Sequence, residues 1–324
     1  MQEIQLAHGG GGEEMNELIG SIFKRLDNDI LRAGNDAAIL GELALSTDSF
    51  TLSPLFLDED INIGKLCVCG SVNDVLMVGA KPLYLSLALI IEEGFSADKL
   101  TQILASIKKE CDKIGISVVC GDTKVVPKGK GGKLYINTTC LGKILSKCDT
   151  KELRAGLSLL VSGDIGRHGT AVLVQRNGLE AAVQSDCKSL HEEVLALFEA
   201  GLKPVAMRDA TRGGLSAVLN EWARSSGLDI LIKEAQIKVQ DEVAGVCELF
   251  GFEPFELANE GTFVLCIEPD KAAQALKILQ KFNPNASIIG ELTSERKSRV
   301  ILENAYGARR FLEAPKGELL PRIC

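Results

Sequence analysis

The chain has 324 residues, of which 46% are hydrophobic and 25% are charged, so it can bury a full core and is long enough for two domains. Its 44 acidic and 36 basic side chains give a net charge of -8, which argues against a broad nucleic-acid-binding surface but is compatible with a metal-bridged anionic ligand. The sequence shows no basic, hydrophobic leader and no apolar run long enough to span a bilayer, so we expect a cytoplasmic protein without a membrane segment.

The first segment combines glycines with an amphipathic pattern. Residues 9–12 are all glycine, and apolar residues recur at helical spacing over residues 13–26. A glycine loop that leads into a helix allows backbone N–H groups to approach a phosphate. On its own, such a loop is more often a flexible leader, so both interpretations stay open.

The remainder of the first half predicts alternating strands and helices. In chain order these are strands at 35–40 and 43–50, a helix at 61–80, a strand at 82–91, a helix at 96–114 capped by Ser96, and strands at 116–120 and 134–141. We expect the last two strands to form a hairpin with a mobile basic tip at 127–133. A polar stretch at 146–155 predicts the end of the first domain.

The second half repeats this alternation, so the chain is predicted to contain two α/β domains in tandem. The strands are expected at 157–162, 228–232, 262–267, 287–292 and 299–302, and the helices from Thr170, at 190–200, from 214 through Trp222, and at 271–281. We therefore expect an N-terminal domain at 1–150, a C-terminal domain at 151–315 and a flexible tail at 316–324.

Cysteine usage favours buried free thiols over a zinc site. The ten cysteines lie mostly in apolar segments, no two have Cys-x-x-Cys spacing, and only three histidines are present. Cys324, the last residue, is neither at metal-binding spacing nor placed for prenylation. From the tail alone, a frayed end without a role is an equally open interpretation of this residue.

Four aspartates lie at the ends of apolar segments or inside them: Asp36, Asp48, Asp74 and Asp122. Carboxylates brought together near buried elements repel one another unless cations neutralise them. Mg²⁺ suits such a cluster because it binds a few carboxylates and completes its coordination with water and phosphates. Taken singly, each aspartate is more often a helix cap or a turn residue. Neither a Walker motif nor a Gly-x-Gly-x-x-Gly fingerprint is present.

Several short motifs follow one another along nearly the whole chain. They are Asn-Asp-Ala-Ala-Ile (35–39), Ser-Thr-Asp-Ser-Phe (46–50), Ser-Val-Asn-Asp-Val-Leu-Met-Val-Gly-Ala (71–80), Cys-Gly-Asp-Thr-Lys-Val (120–125), Ser-Gly-Asp-Ile-Gly (162–166) and Met-Arg-Asp-Ala-Thr-Arg-Gly-Gly (207–214). In this order the chain resembles the ATP-binding superfamily of aminoimidazole ribonucleotide synthetase, selenophosphate synthetase and thiamine-monophosphate kinase. The opening His-Gly-Gly-Gly-Gly and the ending Pro-Arg-Ile-Cys resemble, more narrowly, the carbamoyl dehydratases of hydrogenase maturation.

This resemblance implies a two-domain, PurM-like α/β fold that binds ATP and Mg²⁺. The N-terminal sheet would pair with that of a second subunit into a barrel, giving a homodimer, and the C-terminal domain would cover the site. The residues carried over are Asp36, Asp48, Asp74 and Asp122 as ligands of metal and phosphate, Asp209, Thr211 and Arg212 for the nucleotide pocket, and Gly10 and Gly11 for a loop over the phosphates. One departure is Asn35, which stands where many superfamily members have a second aspartate.

The implied activity is the ATP-dependent dehydration of a carbamoyl group, carried as an S-carboxamide on Cys324, to a thiocyanate that supplies cyanide to the iron of [NiFe]-hydrogenase. Lys124 and Glu260 match positions that would handle protons near this thiol. The implied partners are the carbamoyltransferase HypF and the HypC–HypD complex, without nucleic acid or membrane. Two alternatives stay open, namely a small-molecule kinase or synthetase of the same superfamily and a non-catalytic Mg-nucleotide-binding scaffold.

Overall fold

The computed structural model describes residues 3–9, 12–51, 57 and 61–316, so Gly10, Gly11 and Cys324 lie outside the described residues. The helices are α1 (Glu13–Phe23), α2 (Ile63–Met77), α3 (Ala97–Ile114), α4 (Arg167–Asn177), α5 (His191–Glu199), α6 (Gly214–Ser226), α7 (Asp241–Phe250) and α8 (Pro269–Leu279). The strands are β1 (Ala38–Leu40), β2 (Leu43–Phe50), β3 (Ala80–Glu92), β4 (Ser117–Val126), β5 (Leu134–Ile144), β6 (Ser158–Val161), β7 (Ala206–Asp209), β8 (Ile230–Lys233), β9 (Phe263–Ile267), β10 (Ser287–Leu292), β11 (Val300–Glu303) and β12 (Arg309–Phe311). Within these ranges no helix combines the length and the apolar character that a membrane crossing requires.

The strands form two mixed sheets, one from each half of the chain. In the described residues, the first sheet has five strands in the order β1-β2-β5-β3-β4, and β3 and β4 run parallel. The second has seven strands in the order β12-β11-β8-β10-β6-β9-β7, and β11 and β8 run parallel. The alternation of strands and helices expected from the sequence is therefore confirmed, whereas the domain boundary near residue 150 stays a prediction.

The predicted hairpin of β4 and β5 is wrong, because these strands are not neighbours. β5 lies between β2 and β3, and β4 forms an edge of the sheet. Alternate residues of β5 are buried, and the Thr138 hydroxyl donates to the Cys67 carbonyl of α2 at 2.8 Å. β4 is exposed along almost its whole length and continues to Val126, so Asp122 and Lys124 lie within a strand rather than in a loop. The periodic apolar row of β5 is thus buried against α2 in the middle of the sheet, where it excludes the most water.

The basic tip between β4 and β5 is held by one carboxylate. Glu92 Oε1 accepts a hydrogen bond from Gly129 N at 2.7 Å, and Oε2 accepts from Lys133 N at 3.0 Å and from Gly131 N at 3.3 Å. The bonds from Gly129 and Lys133 lower the pKa of the Glu92 carboxyl. Three N–H groups on one carboxylate order the tip and argue against the predicted mobility.

α2 is the buried helix around which both halves of the chain pack. It contacts β2, β3 and β5 of the first sheet, and β7 and α5 from the second half. Asn62 caps its first turn by accepting from Gly64 N at 2.9 Å, so the helix is shorter than the predicted 61–80. A Cβ at Gly70 would lie 2.7 Å from the Phe50 ring, so the glycine allows close approach to β2. Asp74, one turn further on, is thereby brought toward that strand.

In the described part of the chain, the prediction of buried free thiols is confirmed except at Cys120, for which it is wrong because this residue lies on the exposed edge strand β4. Of the nine cysteines there, Cys120 on β4 is exposed, the others are buried, and all nine are free. Burial raises the pKa of the Cys140 thiol to about 12. Such thiols stay protonated at neutral pH and are poor nucleophiles.

Candidate active site

Most of the predicted site residues meet at a cavity of about 260 Å³ between the two halves of the chain. The cavity is lined by Asn35, Asp36, Thr47, Asp48, Gly70, Asp74, Arg208, Asp209, Thr211, Arg212, Ala217, Val218, Glu221 and Glu260. Among the described residues of a single chain, Asp122 and Lys124 do not line this cavity. They lie on β4, which is three strands away from β2, a separation of about 14 Å.

β2 and α2 together place two of the carboxylates. Ser46 and Asp48 alternate with exposed residues along β2 and therefore share the face toward α2. The Ser46 hydroxyl donates to the Asp74 carboxylate, and Asp48 Oδ1 accepts from Ser49 N at 2.8 Å. A Cβ at Gly70 would lie 3.4 Å from Asp48 Oδ2, so this carboxylate passes directly over the glycine of α2.

Asp36 precedes β1 and is linked to the second half of the chain. Its Oδ1 lies 3.0 Å from Arg208 Nε, and Arg208 Nη1 lies 2.9 Å from Glu221. The other oxygen, Oδ2, is buried and has no hydrogen-bond partner among the described residues. Burial raises the pKa of the Asp36 carboxyl to about 6, although Arg208 lowers it. A buried carboxylate oxygen without a protein partner is available to a metal ion or a water molecule.

The remaining carboxylates of the cavity repel one another. Burial raises the pKa of Asp74 well above its usual range, and Asp209 and Asp36 raise it further. Burial also raises the pKa of Asp48 and of Asp209, and Arg212 opposes the rise at both. A divalent cation removes this repulsion, so the donor set has the chemistry of a cation site.

The side chains nevertheless do not form a finished metal cage. In the described ranges, no three His, Cys, Asp or Glu side chains converge closely enough to hold an ion by themselves. Mg²⁺ requires only one or two carboxylates when phosphates and water complete its coordination. The geometry therefore fits an ion that arrives with a phosphate-bearing ligand better than a permanently bound structural ion.

A helix N-terminus borders the same cavity. Thr211 and Arg212 lead into α6, whose start requires glycine, because Gly214 has a φ of 60° and a Cβ there would lie 2.5 Å from the Phe255 carbonyl oxygen. Ala217 in the first turn also lines the cavity. The N–H groups of a first helical turn attract anions, so α6 and Arg212 suit phosphate oxygens.

Glu260 enters the cavity from the turn before β9. Asn259 fixes this turn, because its Oδ1 accepts from Gly166 N at 2.7 Å and its Nδ2 donates to the Ala210 carbonyl at 2.9 Å. Burial raises the pKa of Glu260 well above its usual range, and Cys187 and Asp209 add to the rise. A carboxyl with a raised pKa is suited to accept a proton during a reaction near neutral pH.

Arg208 and Glu221 were not predicted as site residues. The available signal for Arg208 was its position beside Asp209 in the motif at 207–214. The neighbouring carboxylates of Asp36 and Glu221 raise its pKa, although burial lowers it. Glu221 offers no sequence signal, because it is one of several polar residues on α6.

The last described residues run along α6. Asn220 Nδ2 donates to the Leu312 carbonyl at 3.0 Å, and the Ser216 hydroxyl donates to the Glu313 carbonyl at 2.6 Å. Ser216 is next to Ala217, which lines the cavity. The segment that leads to the C-terminus is therefore attached to the helix that borders the site.

Comparisons with known proteins extend over both halves of the chain. Residues 34–144 match the N-terminal domain and residues 154–303 the C-terminal domain of the AIR synthase related proteins. Carbamoyl dehydratase HypE of Escherichia coli (strain K12) is 42% identical over 100% of both chains. A crystal structure of a HypE–HypF complex has a TM-score of 0.87 at 38% identity and covers 94% of this chain and 100% of its own. A crystal structure of hydrogenase maturation protein HypE in complex with ATP has a TM-score of 0.83 at 39% identity, with coverages of 99% and 100%.

Proposed function

The chain belongs to the family of HypE carbamoyl dehydratases, enzymes of hydrogenase maturation, and from this membership we propose that it dehydrates a carbamoyl group bound to its own Cys324. The S-carboxamide becomes a thiocyanate while ATP becomes ADP and phosphate. An amide oxygen is a poor leaving group, so it must first be converted to a phosphate ester. The oxygen then leaves as phosphate and both nitrogen-bound protons are released, which amounts to the loss of one water.

The observation that carries this proposal is the acidic cavity beside the helix to which the C-terminal segment is attached. Eight residues follow Lys316 and end at Cys324. Fully extended, they span up to about 27 Å. Because the Glu313 carbonyl is bonded to Ser216 on α6, a tail of this length can bring the thiol to the cavity and also release it.

The residues that line the cavity would have three different roles, namely metal binding, phosphate binding and proton transfer. Asp36, Asp48, Asp74 and Asp209 would hold Mg²⁺, and bound Mg²⁺ would neutralise charge during phosphoryl transfer. Arg212 and the N-terminus of α6 would bind and orient the phosphates of ATP. Glu260 would accept a proton from the carbamoyl nitrogen, because burial raises the pKa of its carboxyl and so makes its carboxylate a stronger base.

An intact-mass experiment on the wild-type protein tests this proposal. Incubation with a HypF carbamoyltransferase and its carbamoyl donor is expected to add one carbamoyl group, which peptide mapping locates on Cys324. Addition of Mg²⁺ and ATP is then expected to remove one water from the modified protein. A modification on any of the nine other cysteines, or a modified protein that keeps its mass with Mg-ATP, would contradict the proposed reaction.

We further propose that Asp122 and Lys124 act across a homodimer. Both lie on the exposed edge strand β4, and the face of the first sheet away from α2 is uncovered in a single chain. Its exposed apolar side chains include Leu43, Leu45, Tyr84 and Ile90. A second sheet laid against this face would bury those side chains and cover the open edge. The β4 of one subunit could then complete the cavity of the other.

Mixing two inactive variants tests this arrangement. We expect Asp74→Asn and Asp122→Asn homodimers to be inactive and a mixture of the two to recover activity, because a mixed dimer has one cavity with neither change. Random exchange would return roughly a quarter of the wild-type activity, since half of the dimers are mixed and each has one intact site. Recovery of no activity from exchanged mixed dimers, or a monomeric mass by light scattering at micromolar concentration, would show that Asp122 does not act in trans.

The partners follow from the same membership. We propose HypF as the source of the carbamoyl group, in keeping with the known HypE–HypF complex. We propose the HypC–HypD complex as the recipient of the cyanide group, and the cytoplasm as the location of both transfers.

A further inference from the structure

The turn that carries Glu260 is bonded to a segment for which the reaction has so far required no role. Asp186 Oδ1 accepts from Glu260 N at 3.0 Å, and Asp186 Oδ2 accepts from Gly261 N at 3.0 Å. Lys188 N donates to the Glu260 carbonyl at 3.2 Å. The peptide groups on both sides of the Glu260 Cα are therefore held by residues 186–188. We propose that Asp186 is a positioning residue that fixes the Glu260 carboxyl in the cavity, an inference that rests on the proposed role of Glu260 as the base.

The contact between the two segments leaves no room for a side chain at residue 261. A Cβ at Gly261 would lie 1.9 Å from the Asp186 carbonyl oxygen, so residue 261 must be glycine for the bonds to form. Asp186 itself is buried, with 8% of its surface exposed. Water therefore does not compete effectively for its two backbone hydrogen bonds.

The segment that contains Asp186 is itself held in place by hydrogen bonds to neighbouring side chains. The Ser185 hydroxyl accepts from Cys187 N at 3.0 Å and lies 2.8 Å from Nδ1 of the buried His168 on α4. On the other side, Asn73 Nδ2 donates to the Lys188 carbonyl at 3.1 Å, and Asn73 Oδ1 accepts from Leu190 N at 2.9 Å.

Asn73 directly precedes Asp74 on α2, so one helix holds a proposed metal ligand and also the segment that positions the proposed base. This helix therefore fixes the position of the Glu260 carboxyl relative to the acidic cluster of the cavity. This is the arrangement that a reaction with a metal-bound phosphate and a separate base requires.

The chemistry of this contact requires a carboxylate. Two parallel N–H groups are satisfied by the two oxygens of one carboxylate, whereas an asparagine would turn its own NH₂ group toward one of them. Asp186→Asn therefore keeps the size of the side chain and breaks one of the two bonds. The Glu260 turn would then be free to shift, and the base would lose its alignment.

The decisive experiment compares Asp186→Asn in the wild-type background and in the Glu260→Gln background. In wild type we expect a 10- to 100-fold slower dehydration of the carbamoylated protein, about the cost of misplacing a reacting group by roughly 1 Å. Affinity for Mg-ATP should change by less than about threefold, because the metal and phosphate ligands are untouched. In the Glu260→Gln background, Asp186→Asn should cost less than about twofold more, because the group that it positions is already gone.

The matched control is Asp229→Asn. Asp229 is also a buried carboxylate that accepts two backbone N–H groups, those of Lys297 and Arg299 at 3.0 Å each, but it directly precedes β8 and does not line the cavity. We expect its substitution to lower the melting temperature without the specific loss of rate. Two losses that multiply in the Asp186→Asn, Glu260→Gln double variant would overturn the proposal. An inactive wild type would instead refute the proposed dehydration, and a fully active Glu260→Gln variant would refute the proposed role of Glu260 as the base.

The pH profile gives a second readout that a purely structural role does not move. The Asp186 charge helps to raise the pKa of Glu260, so Asp186→Asn should lower the pH at which the rate falls on the acidic side. If Asp186→Asn does not fold, Ser185→Ala removes the acceptor of Cys187 N instead. That variant should show a smaller rate loss that also disappears in the Glu260→Gln background, and a loss that persists there would contradict the positioning role.

Discussion

Replacing Cys324 with alanine is expected to abolish the formation of carbamoylated and cyanated protein completely, while Mg-ATP binding and stability remain those of the wild type. The substitution removes one sulfur atom from the last residue of the chain. Because the backbone of that residue is unchanged, we expect the free energy of unfolding to change by less than about 0.5 kcal/mol. The proposed reaction, in contrast, has no acceptor without this thiol.

Intact mass, isothermal titration with Mg-ATP and thermal unfolding measure these three quantities on one preparation. Cys120→Ala is the matched control, because Cys120 is the exposed cysteine in the described part of the chain. We expect that variant to acquire the carbamoyl group as the wild type does. If Cys324→Ala still gains the group, the small-molecule kinase becomes the better interpretation. If wild-type protein accepts the group but never turns over ATP, the non-catalytic scaffold becomes the better interpretation.

Asp74→Asn is expected to stabilise the metal-free protein and to abolish Mg²⁺-dependent ATP binding. Burial and the neighbouring Asp209 and Asp36 raise the pKa of Asp74, so ionising it in the folded state is costly. Replacing a buried group of this kind with a neutral one of the same size is expected to add about 1 kcal/mol or more to the free energy of unfolding at pH 8. Asparagine still accepts from Ser46 but no longer offers the negative charge that a cation requires.

The pH dependence of this gain follows from the sign of the pKa shift. A carboxyl whose pKa is raised in the folded state binds its proton more tightly there than in the unfolded chain. Its contribution to stability is therefore fully present below the unfolded value of 3.8 and is lost as the pH rises through the folded value. The advantage of Asp74→Asn should thus be largest at pH 8 and should disappear near pH 4.

Urea unfolding at both pH values and titration with Mg-ATP measure this prediction. Asp229→Asn provides the contrast, because Arg299 and backbone N–H groups lower the pKa of Asp229 in spite of its burial. That substitution should destabilise the protein and leave nucleotide binding unchanged. A destabilised Asp74→Asn variant that binds Mg-ATP normally would remove Asp74 from the proposed metal site.

The position of β4 at the edge of the first sheet could not be predicted from the sequence. The apolar character of residues 116–120 and 134–141 identified both strands, but a strand's own residues do not specify which other strand it pairs with. β5 inserts between β2 and β3 because its alternating row of buried residues can then pack on α2. Asp122 and Lys124 were consequently predicted beside the other site residues, although they lie on an exposed edge strand.

The sequence by itself determined the alternation of strands and helices, the burial of most of the thiols and the identity of the cavity's aspartates, because periodicity and short motifs are local properties of the chain. The tertiary structure alone decided that Arg208 and Glu221 join the cavity, that Asp36 Oδ2 lacks a partner in the described residues, and that Asp186 holds the Glu260 turn. Asp186 and Glu260 are 74 residues apart in the sequence. Hydrogen bonds of that kind depend on how distant segments of the chain pack together, and no local pattern in either segment records that packing.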